Sequence, residues 1–213
     1  MRTLIAIPSM DQVPAQFAAS LAMLERVTDD TVVGFQIGSL IYEARNQLAR
    51  QAIKIGADYV LWLDSDMIFH PSVMKRLYED YKAGKGDIVS GLYFRRVAPF
   101  SPVVFNTLEI VDNKPQWTAS DDIPNEVFEV GGVGFGCVFM DTGVLADVMN
   151  KYEGNAFTPL NGVGEDLSFC WRARQCGVKI YCDPSISCGH VGYMVFTRAF
   201  YDRQFSTQTK EGT

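Results

Sequence analysis

The sequence predicts an α/β protein built on a doubly wound, mainly parallel sheet with a small mixed or antiparallel extension. Two observations carry this expectation. Over roughly the first 95 residues, short apolar runs alternate with segments whose apolar residues recur at helical spacing. That rhythm belongs to successive βα units joined by right-handed crossovers. Between about residues 95 and 140 the strand-like pieces are shorter and separated by Pro, Asn, Asp and Gly, which suits an antiparallel extension with long, functional loops.

Each element has a local reason. Thr3 to Pro8 is an apolar run stopped by proline, read as a first strand and too short for a signal peptide or a membrane span. Val13 to Val27 has helical spacing, and Thr31 to Ile37 is a second strand. In the next helix, Ile41 to Ile55, residues Ile41, Ala44, Leu48, Ala52 and Ile55 share one face. Tyr59 to Leu63 is a fully apolar strand, followed by a helix from Pro71 to about Lys82 with proline suited to its first turn. Asp87 to Tyr93 is the fourth strand of the rhythm. Val103 to Phe105, Glu126 to Val130 and Phe135 to Met140 are the pieces of the extension. Helices follow at Thr142 to Tyr152 and Glu165 to Cys176, the latter ended by Gly177, and then a short strand at Val178 to Cys182. Beyond Val195 a helix is expected to fade into disorder by Lys210.

The chain has 213 residues, 47% of them hydrophobic, enough for one core. A single domain over 1–213 is expected, with a nucleotide-binding half at about 1–95, an acceptor half at about 96–195 and a tail at 196–213. A net charge of −6 argues against a general nucleic-acid binder, and leaves open a nucleic-acid acceptor met through a local patch of arginines. No segment approaches the roughly 18 apolar residues of a membrane span. The five cysteines form no C-x-x-C pair. Reduced, mostly buried thiols in a cytoplasmic protein are therefore expected rather than a zinc site, although the last four recur every six residues.

Chemistry concentrates at Asp64-Ser65-Asp66, directly after the Tyr59 to Leu63 strand. Residues i and i+2 of a strand point the same way, so two carboxylates held there repel unless a cation neutralises them. A hard divalent ion such as Mn²⁺ or Mg²⁺ meets that need and bridges readily to phosphates. In open α/β sheets, ligands bind beyond the carboxyl ends of the strands, where this pair lies. His190, one of two histidines, is flanked by glycines that let backbone approach a ligand. His70 is expected at the surface or capping a helix. Glu165 and Asp166 complement a helix N-terminus by charge alone, yet Gly162 and Gly164 upstream suggest a tight loop facing a site. Arg45 suits either a phosphate or an acidic partner. Gly131 to Cys137 lacks the Lys-Ser/Thr of a P-loop and is read as a flexible loop beside the substrate. Gly91 to Arg96 either floors a pocket with its aromatics and cations or is core with solvated arginines.

Taken in order, Ile7-Pro8, Ala44-Arg45-Asn46, Leu63-Asp64-Ser65-Asp66, Gly164-Glu165-Asp166 and Cys188-Gly189-His190-Val191-Gly192 resemble the motifs of GT-A-fold glycosyltransferases, most similar to the family 2 group. The resemblance runs from about residue 3 to 192. It implies the GT-A, nucleotide-diphospho-sugar transferase fold. It also implies that Asp64, Asp66 and His190 hold Mn²⁺ or Mg²⁺, and that Pro8, Ser9, Arg45, Asp64, Ser65 and Asp66 bind the nucleotide-sugar. Asp166, with Glu165, would act as general base, a role worth about 10²–10⁴ in rate, and inversion is favoured over retention on that ground. The sequence has no membrane spans and no Q-x-x-R-W, which argues against processive synthesis.

The implied activity is metal-dependent transfer of one sugar from a nucleoside diphosphate donor, UDP-sugar foremost, to a hydroxyl of a glycan, small molecule, protein or modified nucleobase. One alternative is a nucleotidyltransferase, which would need a glycine-rich basic loop that residues 8–14 do not offer. The other is a nucleotide-sugar-binding module without turnover.

Overall fold

A computed structural model describes residues 1–112, 114–120, 122–160 and 162–192. The helix expected beyond Val195 lies outside them. The chain runs β1 (Arg2–Ser9), α1 (Ala15–Met23), β2 (Asp30–Ile37), α2 (Ile41–Lys54), β3 (Tyr59–Leu63), β4 (Met67–Ile68), α3 (Val73–Lys82) and β5 (Ile88–Leu92). It continues through β6 (Val104–Val111), β7 (Lys114–Ala119), β8 (Phe128–Val130), β9 (Gly132–Val133), β10 (Cys137–Asp141), α4 (Thr142–Lys151), α5 (Glu165–Gln175), β11 (Ile180–Ser187) and β12 (Gly189–His190).

Strands buried on both faces read as unbroken apolar runs. Accordingly β3, β5 and residues 3–8 of β1 are wholly buried. They form a seven-stranded sheet in the order β2-β1-β3-β10-β5-β11-β8. Alternate residues supply its two faces. Leu4, Ala6, Val60, Trp62, Val138 and Met140 pack with apolar residues of α2, α4 and α5. Ile5, Ile7, Leu61, Leu63, Val89 and Phe139 pack with Phe17 of α1 and Val73, Met74 and Leu77 of α3. Helices on both faces are the doubly wound arrangement that the sequence predicts.

The sheet is mixed near its centre. β1 pairs in parallel with β2 and β3, and β11 with β5, but β10 lies between β3 and β5 antiparallel to both. The fourth strand of the βα rhythm therefore does not border the third. Cys137, Val138, Phe139 and Met140 are all 0% exposed, so β10 satisfies a central position whichever way it runs. Asp141 then caps α4 by accepting from Gly143 N at 2.6 Å.

Other boundaries shift for local reasons. α1 stops at Met23 rather than Val27, and α3 starts at Val73, with Pro71 outside the helix and Ser72 as its cap residue. His70 is a helix-start residue, as expected: its Nδ1 accepts from Ser72 N at 3.2 Å and its carbonyl accepts from Val73 N at 3.0 Å. The extension is a small antiparallel sheet, β7-β6-β9. It contains a strand the sequence hid, because Pro115 interrupts the β7 pattern. Proline is tolerated there because β7 is an edge.

The glycine-rich segment is not an open loop. Residues 131–137 are buried throughout. A Cβ on Gly131 would meet Leu108 N at 2.8 Å, and one on Gly134 would overlap the Tyr93 hydroxyl. These glycines let β9 approach β6 and let Tyr93 pack, so the backbone is covered by protein rather than free for substrate.

All five cysteines are free, and four are buried. Among the described residues no three cysteine, histidine or acidic side chains form a metal-holding cluster, and no helix is long and apolar enough to cross a membrane.

Candidate active site

The ends of β1 and β3 open onto one cleft of about 290 Å³. Its lining includes Pro8, Ser9, Asp64, Ser65, Asp66 and His190, all expected there, together with Met10, Ser39, Ile41, Ala44 and Arg96. A turn after β3 presents the acidic pair: Asp64 N donates to Gly136 O at 3.1 Å, and Met67 N donates to Asp64 O at 3.1 Å. β4 then pairs antiparallel with β12, setting His190 opposite Met67, and Val191 N donates to Asp66 O at 2.8 Å. Two residues distant by more than a hundred positions are thereby fixed side by side.

The two aspartates have different surroundings. Asp66 Oδ2 lies 3.6 Å from His190 Nε2 and 2.7 Å from Arg96 Nη1. Burial alone would raise its pKa, but the nearby imidazole and guanidinium hold it below the ordinary aspartate value. The Asp66 carboxylate in turn raises the His190 pKa against the opposing effect of burial. His190 Nδ1 sits 2.9 Å from Phe94 O. The carbonyl can only accept, so Nδ1 carries a proton and Nε2 is the nitrogen aimed at Asp66. Tyr93 packs edge-on against the imidazole, with ring centroids 5.4 Å apart.

Asp64 turns the other way. Its Oδ1 accepts from Arg45 Nη2 at 2.8 Å, while Arg45 Nε faces Glu165 Oε1 at 3.3 Å. Arg45 is 2% exposed and lies against the rings of Phe135 and Trp62. Of the two partners open to it from sequence, an acidic one is what it has. Burial would lower its pKa, but Asp64, Glu165 and Asp166 together hold it above the ordinary arginine value. Burial also raises the Asp64 pKa, with Arg45 opposing. Asp64 thus shares the cleft with Asp66 and His190 while its bonded oxygen is committed to Arg45.

Asp166 opens onto a second cleft, of about 320 Å³, between the β6–β7 hairpin and the start of α5. Arg95, Val103, Phe105, Trp117, Gly162, Val163, Gly164 and Leu167 complete its lining. Burial first, then the adjacent Glu165, push the Asp166 carboxyl up to about 6. A carboxylate poised there can take a proton near neutral pH. Glu165 itself is turned to Arg45, so the acidic pair divides between a structural ion pair and a cleft.

Sequence reasoning left Arg95 and Arg96 between pocket and solvent. The structure sends Arg96 to Asp66 and Arg95 to the Asp166 cleft. It missed Ser39 and Trp117, whose loop and edge-strand positions carry no periodic signal.

No family model matches the sequence, and no curated protein matches it either. Solved structures do match. A197 from STIV superposes with a TM-score of 0.67 at 21% identity, over 91% of this chain and 87% of that one. GalNAc-T7, solved with UDP, GalNAc and Mn²⁺, gives 0.62 at 10% identity, over 91% of this chain and 44% of that one. The chain has the GT-A fold.

Proposed function

We propose that this chain is a metal-dependent glycosyltransferase, moving one sugar from a nucleoside diphosphate donor, UDP-sugar foremost, to an acceptor hydroxyl. The observation that carries the reading is the β4–β12 pairing, which sets His190 Nε2 3.6 Å from Asp66 Oδ2. With Nδ1 protonated toward Phe94 O, the neutral imidazole turns its Nε2 lone pair to the Asp66 oxygen that Arg96 also holds at 2.7 Å, and the two can take a cation between them. A second-sphere carbonyl on Nδ1 is usual for a ligating histidine. The carboxylate suits Mn²⁺ or Mg²⁺ and the imidazole favours a transition ion, so the residues fit Mn²⁺ better than Mg²⁺. When bound, it would offset charge gathering on the departing diphosphate.

The chain's own groups do the rest. Pro8, Ser9 and Ser65 line the donor cleft. Arg45 holds Asp64 at the wall of the cleft and would act on the donor through that carboxylate. Asp166 would accept the proton of the attacking hydroxyl, giving inversion. A carboxylate that lines a cleft with its pKa pushed up to about 6 favours an enzyme over a binding module. The UDP and Mn²⁺ held by GalNAc-T7 support this donor and metal class.

The test is release of nucleoside diphosphate from a panel of UDP- and GDP-sugars, with and without Mn²⁺ or Mg²⁺, for the native chain and Asp66→Ala. Release from one donor that is lost with EDTA and in the variant is expected. Failure of every nucleotide to bind would end the reading.

A further inference from the structure

We infer that the acceptor is a neutral carbohydrate, seated against Trp117 in the cleft that holds Asp166. This rests on the glycosyltransferase reading and names the substrate class that the second cleft recognises.

Three observations converge. The first is Trp117 itself, a bulky ring left 42% exposed at a concave site. The other tryptophans are more enclosed: Trp62 is 0% exposed, and Trp171 is partly buried against the core. Trp117 pairs across the hairpin with buried Leu108, so its side chain stands on the inward face of the extension, toward α5. A flat apolar indole beside water matches the C–H face of a pyranose, which is apolar in its centre and polar at its rim.

The second is the polar content of the cleft. Among the described residues its charged groups are one cation, Arg95, and one carboxylate, Asp166, with apolar walls from Val103, Phe105, Val163 and Leu167. Those charges cancel, and both groups bond hydroxyls well. An oligonucleotide would need more cations for its phosphates, and the nearby Arg174 is committed to Leu108 O and Glu109. A peptide adding a strand to the β7 edge would meet Pro115, which offers no backbone donor there.

The third is placement. Arg95 and Arg96 are consecutive, and they point into the second and first clefts respectively. The two clefts therefore adjoin through this one backbone segment, and the second holds both Trp117 and the group proposed as base.

The experiment follows indole fluorescence of the full chain with UDP and Mn²⁺ present. Neutral disaccharides (lactose, cellobiose, chitobiose, N-acetyllactosamine), a Ser/Thr-containing peptide and a short oligonucleotide are added in turn. A saturable change with one sugar, absent in Trp117→Phe, is expected. Acceptor KM should rise at least tenfold in Trp117→Ala and much less in Trp117→Phe, with UDP affinity measured alongside as the donor-side control. A response to peptide or oligonucleotide but to no sugar overturns the inference, as does an unchanged acceptor KM in Trp117→Ala. If UDP binds normally and no sugar registers, the carbohydrate assignment alone fails. If UDP does not bind, the glycosyltransferase reading fails and takes this one with it.

Discussion

Arg96 Nη1 lies 2.7 Å from Asp66 Oδ2, the oxygen that also faces His190. The guanidinium thus stands where positive charge is wanted, and it is anchored a second time on Val191 O at 3.0 Å. A divalent ion arriving at Asp66 has to share or displace it. The pair is largely solvated, with the Arg96 side chain 45% exposed, so its net worth is about 0.2–1 kcal/mol. Arg96→Gln should therefore tighten Mn²⁺ binding, measured by calorimetry without nucleotide, by up to about fivefold. Unchanged or weaker binding would show that Arg96 does not compete for Asp66.

His190→Ala separates ligand from scaffold. Its loss removes a contact to Phe94 O and edge packing on Tyr93, a small stability change of about 0.5–1.5 kcal/mol. UDP at a hundred times its Kd should stabilise the native chain by about 2.7 kcal/mol, and in the proposed site it should do so only with Mn²⁺ or Mg²⁺. The variant should lose that metal-dependent increment in a thermal melt. If EDTA leaves the UDP-induced rise in Tm intact, the metal assignment is wrong.

Much of this was legible in the sequence because it lay in continuous signals. Residues 4–8 of β1 and all of β3 are apolar, so their burial at the sheet centre could be read, and the carboxylates that follow β3 inherit a place at the strand ends. The orientation of β10 could not be read, since a strand buried on both faces looks the same parallel or antiparallel. β7 was hidden by Pro115, whose cost vanishes at an edge. The β4–β12 pairing that brings His190 to Asp66 is two residues long on each side, too short for any periodicity. The partner of Arg45 was ambiguous because guanidinium suits phosphate and carboxylate alike. Only the packing of α2 and α5 on the same face of the sheet decides it.

The glycines of residues 131–136 are structural, and the cleanest probe is Gly131→Ala. The added methyl would meet Leu108 N at 2.8 Å and Thr107 C at 2.9 Å. Backbone atoms cannot turn aside as a side chain can, so β6 must shift away from the main body. A loss of about 1–3 kcal/mol in urea unfolding is expected. A flexible, substrate-facing loop would instead lose activity with no change in stability.

Arg45 joins three elements, and its removal strands two carboxylates. Arg45→Met keeps the length and the contact with Trp62 and Phe135, but leaves Asp64 and Glu165 without their cation. Breaking a buried pair from one side costs about 3–5 kcal/mol, which chemical denaturation would register. Adding Glu165→Gln removes one stranded charge and should recover part of the loss. If the double variant is no more stable than the single one, the penalty comes from packing rather than from unpaired charge.

Asp166 sets stability against activity. Its carboxyl is pushed up to about 6 from an ordinary 3.8, so the native state binds this proton more tightly than the unfolded chain. Above pH 6 the group is ionised in both states and carries its full burial cost. As pH falls from about 6 toward 4 the native state takes up the proton first, and that cost is relieved. Asp166→Asn should therefore raise stability at pH 7–8 by on the order of 1–3 kcal/mol, and its advantage over the native chain should shrink toward pH 4. Activity runs the other way. As a general base Asp166 must be ionised, so native kcat/KM should drop about tenfold per pH unit below about 6. The variant should lose about 10²–10⁴ in rate together with that acidic limb. A variant that is more stable yet keeps both rate and pH profile would leave Asp166 as a buried charge without a catalytic role, and would move the search for the base to another group.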